Sequence, residues 1–578
     1  MNEVRISTAA AGIASVWAVN DGEKIKRDDL ANPNRHDNSV WDGERITLFG
    51  ARNEIVAFQV ILQAGPEGAP AVDVVLEELV HPAGGVRLAA LPDRPDPTDT
   101  RGGQIERFTT HYLHIEKPSP PGWFYAPEAA PKEMTGWIPD ALVPFPAATA
   151  GGAFVIAPNQ NQGVWFDIYI PQSDTPAGTY EGSVRVSAGG NIVREIPVAL
   201  RVFDFALPDE NHLRAMIYFD ESAVLRRHGS AGDADLVARY HRLAHRHRVE
   251  FTRAYGPDAV PDDGDLRSGA AFTPPRGYVG PGEGRGYVIV PASFYGIGES
   301  WRGESAWKSA DDFVNWLERI KPDAVTFLYV TDEPPPERFA FIRAIGERHH
   351  ANPGMGKRLP MFLTHAPHPD LEGAVDIWCT VTNQYDPDQA RAQKARGRAW
   401  WVYNGYRPAA GTQLTDAPAV DCRVTPWACW KYGVDLWFYW YANQWRHNSQ
   451  NRERGEQNVW ADPVTFAHDG AYNGDGVLIY PGQDAVYPDQ DRGVAGPVAS
   501  IRLKNIRRGL QDYEYLWLAQ QNGLEAEARA VADACVPVAF APALGSDVSW
   551  SARGSDWDTQ RRRLAEQIER TMTKPDAP

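Results

Sequence analysis

Cysteine is scarce in this chain, with four in 578 residues: Cys379, Cys422, Cys429 and Cys535. No C-x-x-C pair occurs, which removes the usual thiolate zinc and dithiol redox motifs, and a chain this long needs no disulfide framework. Cys422 and Cys429 are near enough in sequence to meet, but free thiols are the expectation. Long apolar runs are missing too, since none approaches the ~18 residues that a membrane span needs. The stretch Ala9–Val19 is only weakly apolar and Glu3 spoils a basic leader, so it is expected to run into a first strand rather than to act as a signal peptide. A cytoplasmic protein is the expectation, with export after leader removal as the alternative. Positive charge is in deficit, with 58 Lys+Arg against 75 Asp+Glu and a net charge of −17. That balance disfavours nucleic acid, whose binding is driven by phosphate neutralisation.

Aromatic residues, in contrast, are plentiful: 20 Trp, 22 Tyr and 21 Phe. Their faces stack on sugar rings as well as filling cores, so the count suits a carbohydrate binder. The length implies two or three domains. Short β-branched or aromatic runs separated by Gly/Pro turns occupy the first part, among them Ile55–Leu62, Val164–Ile170 and Gly182–Val186. They predict an antiparallel β-sandwich over 1–207. Within it, 92–150 is proline-rich and predicts long loops, some reaching toward an active site. Phe203-Asp-Phe-Ala-Leu-Pro208 reads as a hinge. From 208 to 495 strands alternate with helices, which predicts a (β/α)8 barrel with strands at 213–219, 249–255, 286–291, 324–331, 360–365, 375–380, 399–404 and 434–440. Helices are expected at 234–247, 310–320 and 338–350. A helical region packed on the barrel follows over 496–578, with helices at 498–520, 524–534 and 556–573. No internal repeat is present.

The chemistry gathers at Asp332-Glu333. The apolar run Ala324–Thr331 reads as a buried strand, and Pro334, Pro335 and Pro336 close it with a rigid loop. Carboxylates at the carboxyl end of a barrel strand point into the active-site face. The bland reading is a helix N-terminus or a salt-bridged loop. Ordinary glycosidases hold two carboxylates on opposite sides of the scissile bond, about 5–9 Å apart. Adjacent residues do that poorly. They suit substrate assistance, in which the 2-acetamido oxygen of the sugar attacks its own anomeric carbon.

This pair resembles that of glycoside hydrolase family 123, the β-N-acetylgalactosaminidases. Ala51–Gln59, Val164–Pro171 and Thr175–Gly182 are similar to the family's amino-terminal sandwich. Asp475-Gly-Val-Leu-Ile-Tyr-Pro-Gly482, Ser500–Leu503 and Arg508–Leu516 resemble DUF4091, a carboxyl-terminal region of unknown function found with it. The resemblance implies that Asp332 stabilises the acetamide, that Glu333 is the general acid/base, and that no metal or organic cofactor takes part. A retaining exo-β-N-acetylgalactosaminidase acting on a carbohydrate or glycoconjugate is thus the expected activity. Two alternatives stay open: a glycosidase for another sugar using a third carboxylate (Asp220, Glu221 or Asp435), and a barrel that binds carbohydrate without catalysis.

Other residues are candidates by position. Tyr385, Asn404 and Trp440 lie at or just past strand ends, and with Trp401, Arg253 and His365 they are expected to bind substrate. His241 and His245 sit one helical turn apart, where a metal site competes with a solvated helix face; the solvated face is expected. The stretch Gly280–Gly286 lacks the strand and helix of a nucleotide loop and reads as a mobile loop over the cleft. Asn473-Gly-Asp-Gly476 lacks a full calcium-ligand set and reads as a tight turn. Ser500–Trp517 reads as an amphipathic structural helix in which Asp512 and Glu514 pair with Arg507 or Arg508.

Overall fold

The computed structural model describes residues 12–573 other than 84, 132–133, 146–152, 230–232, 257–262, 450–454, 468–469 and 541–546. Positions 9–11 of the weakly apolar leader stretch lie outside the described residues, and the remainder enters the first strand, Ile13–Asn20.

Two sheets make up the amino-terminal domain. One holds five antiparallel strands in the order Ile13–Asn20, Glu54–Ala64, Asn161–Ile170, Ile105–Ile115 and Gly136–Pro144. The other centres on Gly178–Ala188 and Asn191–Ala206, and its one parallel pairing joins Asn191–Ala206 to Ile46–Arg52. Strand Asn161–Ile170 shows why these runs are apolar throughout. Val164, Phe166 and Ile168 face the sandwich core, where Phe166 stacks on Phe58 at 5.0 Å. Trp165 faces the other way, against Leu142, Ala419 and Ile501. A sheet buried on both faces needs no polar alternation. Two features of this part differ from expectation. The region 92–150 contributes two long strands, because Leu113, Ile138 and Leu142 are buried despite the prolines around them. The supposed hinge is the end of strand Asn191–Ala206, with Phe203 and Phe205 buried.

The second half is built on a parallel sheet of seven strands, in the order Glu250–Thr252, Arg214–Tyr218, Leu436–Tyr439, Ala399–Tyr403, Ile377–Val381, Met361–Leu363 and Leu328–Tyr329. The sheet curls, and residues 288–292 run between its two ends. On one side Val290 and Ala292 donate to Val325 and Phe327 (2.9 and 2.8 Å). On the other, Tyr255 N–H donates to Pro291 (2.9 Å), while the Glu250 carboxylate takes the Val288 and Ile289 amides. An eighth regular strand was expected here. Pro291 has no N–H to give, and a carboxylate occupies two amides that a neighbouring strand would use. The helix pattern is also incomplete, because only the short turn Pro369–Leu371 links Met361–Leu363 to Ile377–Val381. Side chains at alternate strand positions fill the lumen: Phe327 and Tyr329, Ile377 and Cys379, Trp401 and Tyr403, Leu436 and Phe438. All four cysteines are free and buried.

Helix Ile501–Gln521 joins the two halves. Ser500 caps it by accepting the Leu503 amide at 3.1 Å. The helix is buried on all sides from Ile501 to Leu516, not amphipathic, because its basic residues meet acids of both halves. Arg502 pairs with Asp140, Lys504 and Arg507 with Asp167, and Arg508 with Asp21 and Glu54. Asp512 pairs with Arg423 and Glu514 with His212, rather than with the neighbouring arginines. Burial pushes the Asp140 carboxyl up, but Arg502 outweighs it and holds the group below its usual range. Arg502 also donates to the carbonyls of Gln413, Gly474 and Val477. Arg502→Met leaves an uncompensated buried carboxylate and three carbonyls short of a donor. A loss of about 3–5 kcal/mol is expected, read as a lower urea midpoint. A midpoint within experimental error of wild type contradicts this account.

The basic run Arg239–Arg248 is not solvated. Arg242 and Arg246 are buried against Asp96, Asp235 and Glu106, and the His245 ring stacks on Phe272 at 3.8 Å. No cluster able to hold a metal ion is found among the described residues. The Gly280–Gly286 stretch packs at the amino-terminal end of the sheet, where the Gly282 amide donates to Asp209 and its carbonyl meets His245. It therefore lies away from the acid pair. Asn473–Gly476 is a tight turn, with Gly474 and Gly476 at φ 77° and 73°.

Candidate active site

The strand Leu328–Tyr329 delivers Asp332 and Glu333 to the carboxyl-terminal edge of the parallel sheet, and three prolines stop the chain from continuing as strand. Tyr329 and Tyr403 both point into the lumen, with their rings in the core and their hydroxyls at its rim. The Tyr329 hydroxyl donates to Asp332 Oδ1 at 2.6 Å, and Thr364 Oγ1 donates to the same oxygen at 2.9 Å. The Tyr403 hydroxyl donates to Glu333 Oε1. Each acid is thus held by one oxygen. Among the described residues, Asp332 Oδ2 and Glu333 Oε2 accept no hydrogen bond and remain open.

Backbone geometry separates the two acids. Glu333 has φ 36°, a left-handed conformation that a residue with a Cβ rarely adopts. Its amide donates to Thr364 Oγ1 at 2.7 Å, which pins the turn. One threonine hydroxyl therefore fixes both acids at once. The cleft walls desolvate the Glu333 carboxyl and push its pKa up; the Tyr403 hydrogen bond pulls it down and the Asp332 charge pushes it further up. A carboxyl so placed stays protonated to higher pH than an ordinary glutamate, which suits a proton donor.

A cleft of about 570 Å3 opens beside Glu333. His365, Asn383, Gln384, Tyr403 and Tyr406 line it from the parallel-sheet half, and Gly122 and Trp123 from the amino-terminal half. The proline-rich loop thus reaches the site, as expected.

The six candidate binding residues fall into distinct places. His365 lines the cleft, with Nδ1 on the Ala366 carbonyl at 2.7 Å. Asn404 and Trp440 are joined at the rim, where the Trp440 amide donates to Asn404 Oδ1 at 3.2 Å. Trp440 Nε1 donates to the buried Asp475 at 2.9 Å, and the Trp440 carbonyl accepts the Tyr295 hydroxyl at 2.5 Å. Tyr295 stands against Tyr329, with ring centroids 5.6 Å apart, so this group borders Asp332. Burial and the Asp332 charge both push the Tyr295 hydroxyl well above its usual range. Arg253 is paired with Glu221 at 2.8 Å on the far side of the rim. Two candidates are core residues instead. Trp401 is 5% exposed and fills the lumen between Phe327 and Phe362. Tyr385 is 2% exposed and packs between Trp400 and Phe540. Of the acids considered as a third carboxylate, Asp435 precedes its strand and sits at the opposite end of the sheet. Asp220 caps helix Glu221–His228, and Glu221 is bound to Arg253.

Sequence reasoning missed Tyr329, Thr364, Tyr403 and Trp123. For the two tyrosines a signal existed, since lumen parity selects 327 and 329 in one strand and 401 and 403 in another, and of these four only Tyr329 and Tyr403 carry a hydroxyl. Thr364 and Trp123 act through partners distant in the chain, and nothing local marks them.

Residues 312–519 match the family model described as Glycoside hydrolase 123, catalytic domain. No curated protein matches the chain in sequence. Among solved structures, a family 123 glycoside hydrolase from Clostridium perfringens, described in a study of glycolipid glycan hydrolysis, is similar at TM-score 0.61 and 12% identity, covering 97% of this chain and 98% of that one. A family 39 glycoside hydrolase from Bacteroides cellulosilyticus WH2 reaches only TM-score 0.29 at 9% identity, over 71% of this chain and 78% of that one, too distant to bear on the site. The acid pair, both tyrosines that hold it and Thr364 fall inside the residues that match the glycoside hydrolase 123 catalytic domain, and the chain is a glycosidase.

Proposed function

We propose that the enzyme is a retaining exo-β-N-acetylgalactosaminidase that works by substrate assistance. The observation that carries this reading is the disposition of the two acids. Neighbouring carboxyls, each tied by one oxygen and open at the other, are arranged to act on one side of a bound sugar. Asp332 Oδ2 accepts the acetamide N–H, which turns the acetamide oxygen toward the anomeric carbon and balances the positive charge that develops. Glu333 Oε2 protonates the leaving oxygen as the oxazolinium ring closes, then takes a proton from the water that opens it. The catalytic sheet is read as a (β/α)8-type barrel whose third place is filled by 288–292, and Trp440, Asn404 and His365 as contacts to the sugar. The boundary between 1–207 and 208–495 rests on the last sandwich strand ending at Ala206 and the first parallel strand starting at Arg214, and 496–578 is read as the helical region that follows.

The test compares an aryl β-N-acetylgalactosaminide with the aryl β-galactoside of the same aglycone. Turnover is expected only with the acetamido sugar. Equal turnover of both overturns the reading, because a 2-hydroxyl cannot form the ring.

A second measurement concerns Tyr403. Its hydroxyl stabilises the ionised form of Glu333 and so lowers that pKa. Tyr403→Phe removes the hydrogen bond and raises the pKa further. Because the acid works when protonated, activity falls as pH rises through this pKa. The basic limb of the kcat/KM profile is therefore expected to move to higher pH in the variant. A limb that stays put or moves down shows that Glu333 is not the group that sets it.

A further inference from the structure

Asp475 and Gly476 open a sequence motif, Asp475–Gly482, that the acid pair leaves without a role. In the fold they lie behind Trp440. The Asp475 side chain is buried, and its Oδ1 accepts the Trp440 indole N–H and the Tyr439 hydroxyl, both at 2.9 Å. Gly476 backs the same ring. Its φ is 73°, and a Cβ built there would stand 2.7 Å from Trp440 Cζ2. The motif is stitched to the chain just past Trp440: the Gln444 amide donates to the Gly476 carbonyl and the Leu478 amide to the Ala442 carbonyl, both at 2.8 Å. Thr465 Oγ1 donates to the Asp475 carbonyl at 2.7 Å.

An aspartate is an expensive residue for packing alone. The buried Asp140, Asp167 and Glu54 each meet an arginine or lysine. Asp475 has no such ion pair among the described residues. Burial pushes its carboxyl up to about 6, and the Trp440 and Tyr439 hydrogen bonds pull it only part of the way back. A neutral side chain would fill the space with a smaller desolvation penalty. What the carboxylate adds is a charge-assisted hydrogen bond, roughly twice as strong as a neutral one, on the single polar atom of the indole.

The backbone of Trp440 is held as firmly as its ring. Its amide donates to Asn404 Oδ1 and its carbonyl accepts the Tyr295 hydroxyl. Asn404 and Tyr295 have φ 51° and 56°, and Glu333 has φ 36°. Three residues in a sparsely populated conformation thus gather at one rim, and such strain persists only where the surroundings over-determine it. The Trp440 side chain is nonetheless only half-buried. A tryptophan fixed at its amide, its carbonyl and its indole N–H, yet still partly open, is a preorganised surface. We propose that Asp475 is a positioning residue, which locks the Trp440 indole in the orientation that meets the reacting sugar. The Asp475–Gly482 motif thereby takes part in catalysis from behind the site. The inference rests on the reading of Trp440 as a contact to the sugar, and goes beyond it to what sets that contact.

A double-mutant cycle tests it. Asp475→Leu removes the acceptor and keeps the bulk, and kcat/KM on an aryl β-N-acetylgalactosaminide is expected to fall roughly tenfold. Asp475→Asn keeps an oxygen for the indole N–H and recovers most of the loss. Trp440→Phe keeps an aromatic ring but has no N–H to hold, so in that background Asp475→Leu should cost no more than about twofold further. A tenfold fall in both backgrounds, or no fall in either, overturns the proposal. The cycle is repeated on the aryl β-galactoside. Coupling there, with no turnover of the acetamido sugar, means that the substrate reading has failed and the role of Asp475 stands. Turnover of the acetamido sugar without coupling means the reverse. A second measurement does not depend on Asp475→Leu folding or on turnover. In protein labelled with 15N-tryptophan, the indole resonance of Trp440 is identified by its absence from Trp440→Phe. It is expected to shift in Asp475→Asn, and to shift in wild type on adding N-acetylgalactosamine or galactose. A resonance indifferent to the substitution, or to both sugars, overturns the proposal.

Discussion

Glu333→Gln is expected to lower kcat/KM by about 10²–10⁴ on a substrate whose leaving group is a sugar or an alkyl alcohol. Such an oxygen is too basic to depart without a proton. Glutamine keeps the shape of the side chain and an oxygen for the Tyr403 hydroxyl, so the turn held by Thr364 survives. What it loses is the proton at Oε2. The loss should therefore scale with the basicity of the leaving oxygen. With a dinitrophenyl leaving group, which needs no proton, the bond-breaking step should be nearly normal, and what remains in the proposed mechanism is the slower ring opening, for which Glu333 would supply the base. The basic limb of the pH profile should vanish as well, since the titrating carboxyl is gone. Near wild-type turnover of a sugar-linked substrate by this variant excludes Glu333 as the acid.

The acid pair was legible because it breaks a pattern. Two ionisable residues at the end of an apolar strand, followed by three prolines, have no place in a core, and the carboxyl end of a parallel strand is where such sheets keep their sites. Seven of the eight predicted strand positions hold regular strands for the same kind of reason, since β-branched runs bounded by turns are local signals. The eighth fails where a non-local partner intervenes, as the Glu250 carboxylate takes amides that a local reading assigns to a strand. Binding residues were less legible. Tyr385 and Trp401 look like strand-end aromatics, but whether an aromatic faces the lumen, the helices or the cleft depends on one residue of register. The ion pairs of helix Ile501–Gln521 were misassigned because a run such as Arg507-Arg508-…-Asp512-…-Glu514 invites pairing within the helix. The helix is enclosed by two domains, and its charges find partners outside the helix, most of them hundreds of residues away, as Arg508 does with Glu54.

Asp332→Ala is expected to cost a comparable factor, about 10²–10⁴ in kcat/KM, through a different step. Asp332 sits with Oδ1 saturated by the Tyr329 and Thr364 hydroxyls, so its orientation is set before substrate arrives. In the proposed mechanism its open oxygen is the one that meets the acetamide. Removing it frees the acetamide to rotate and leaves the developing positive charge unbalanced. Because this happens as the ring closes, the loss should appear with good and poor leaving groups alike, in contrast to Glu333→Gln. Asp332→Asn separates charge from position: an amide oxygen still accepts the two hydroxyls, so a loss close to that of the alanine variant assigns the effect to charge and N–H acceptance. Azide distinguishes the mechanisms. If Asp332 were itself the nucleophile, the space left in Asp332→Ala would let azide attack from the opposite face and yield an α-glycosyl azide with recovered rate. Under substrate assistance the acetamide blocks that face, and no α-azide should form. Its appearance in the anomeric region of the proton NMR spectrum, with rate recovery, would make Asp332 a nucleophile and return the enzyme to a two-carboxylate mechanism.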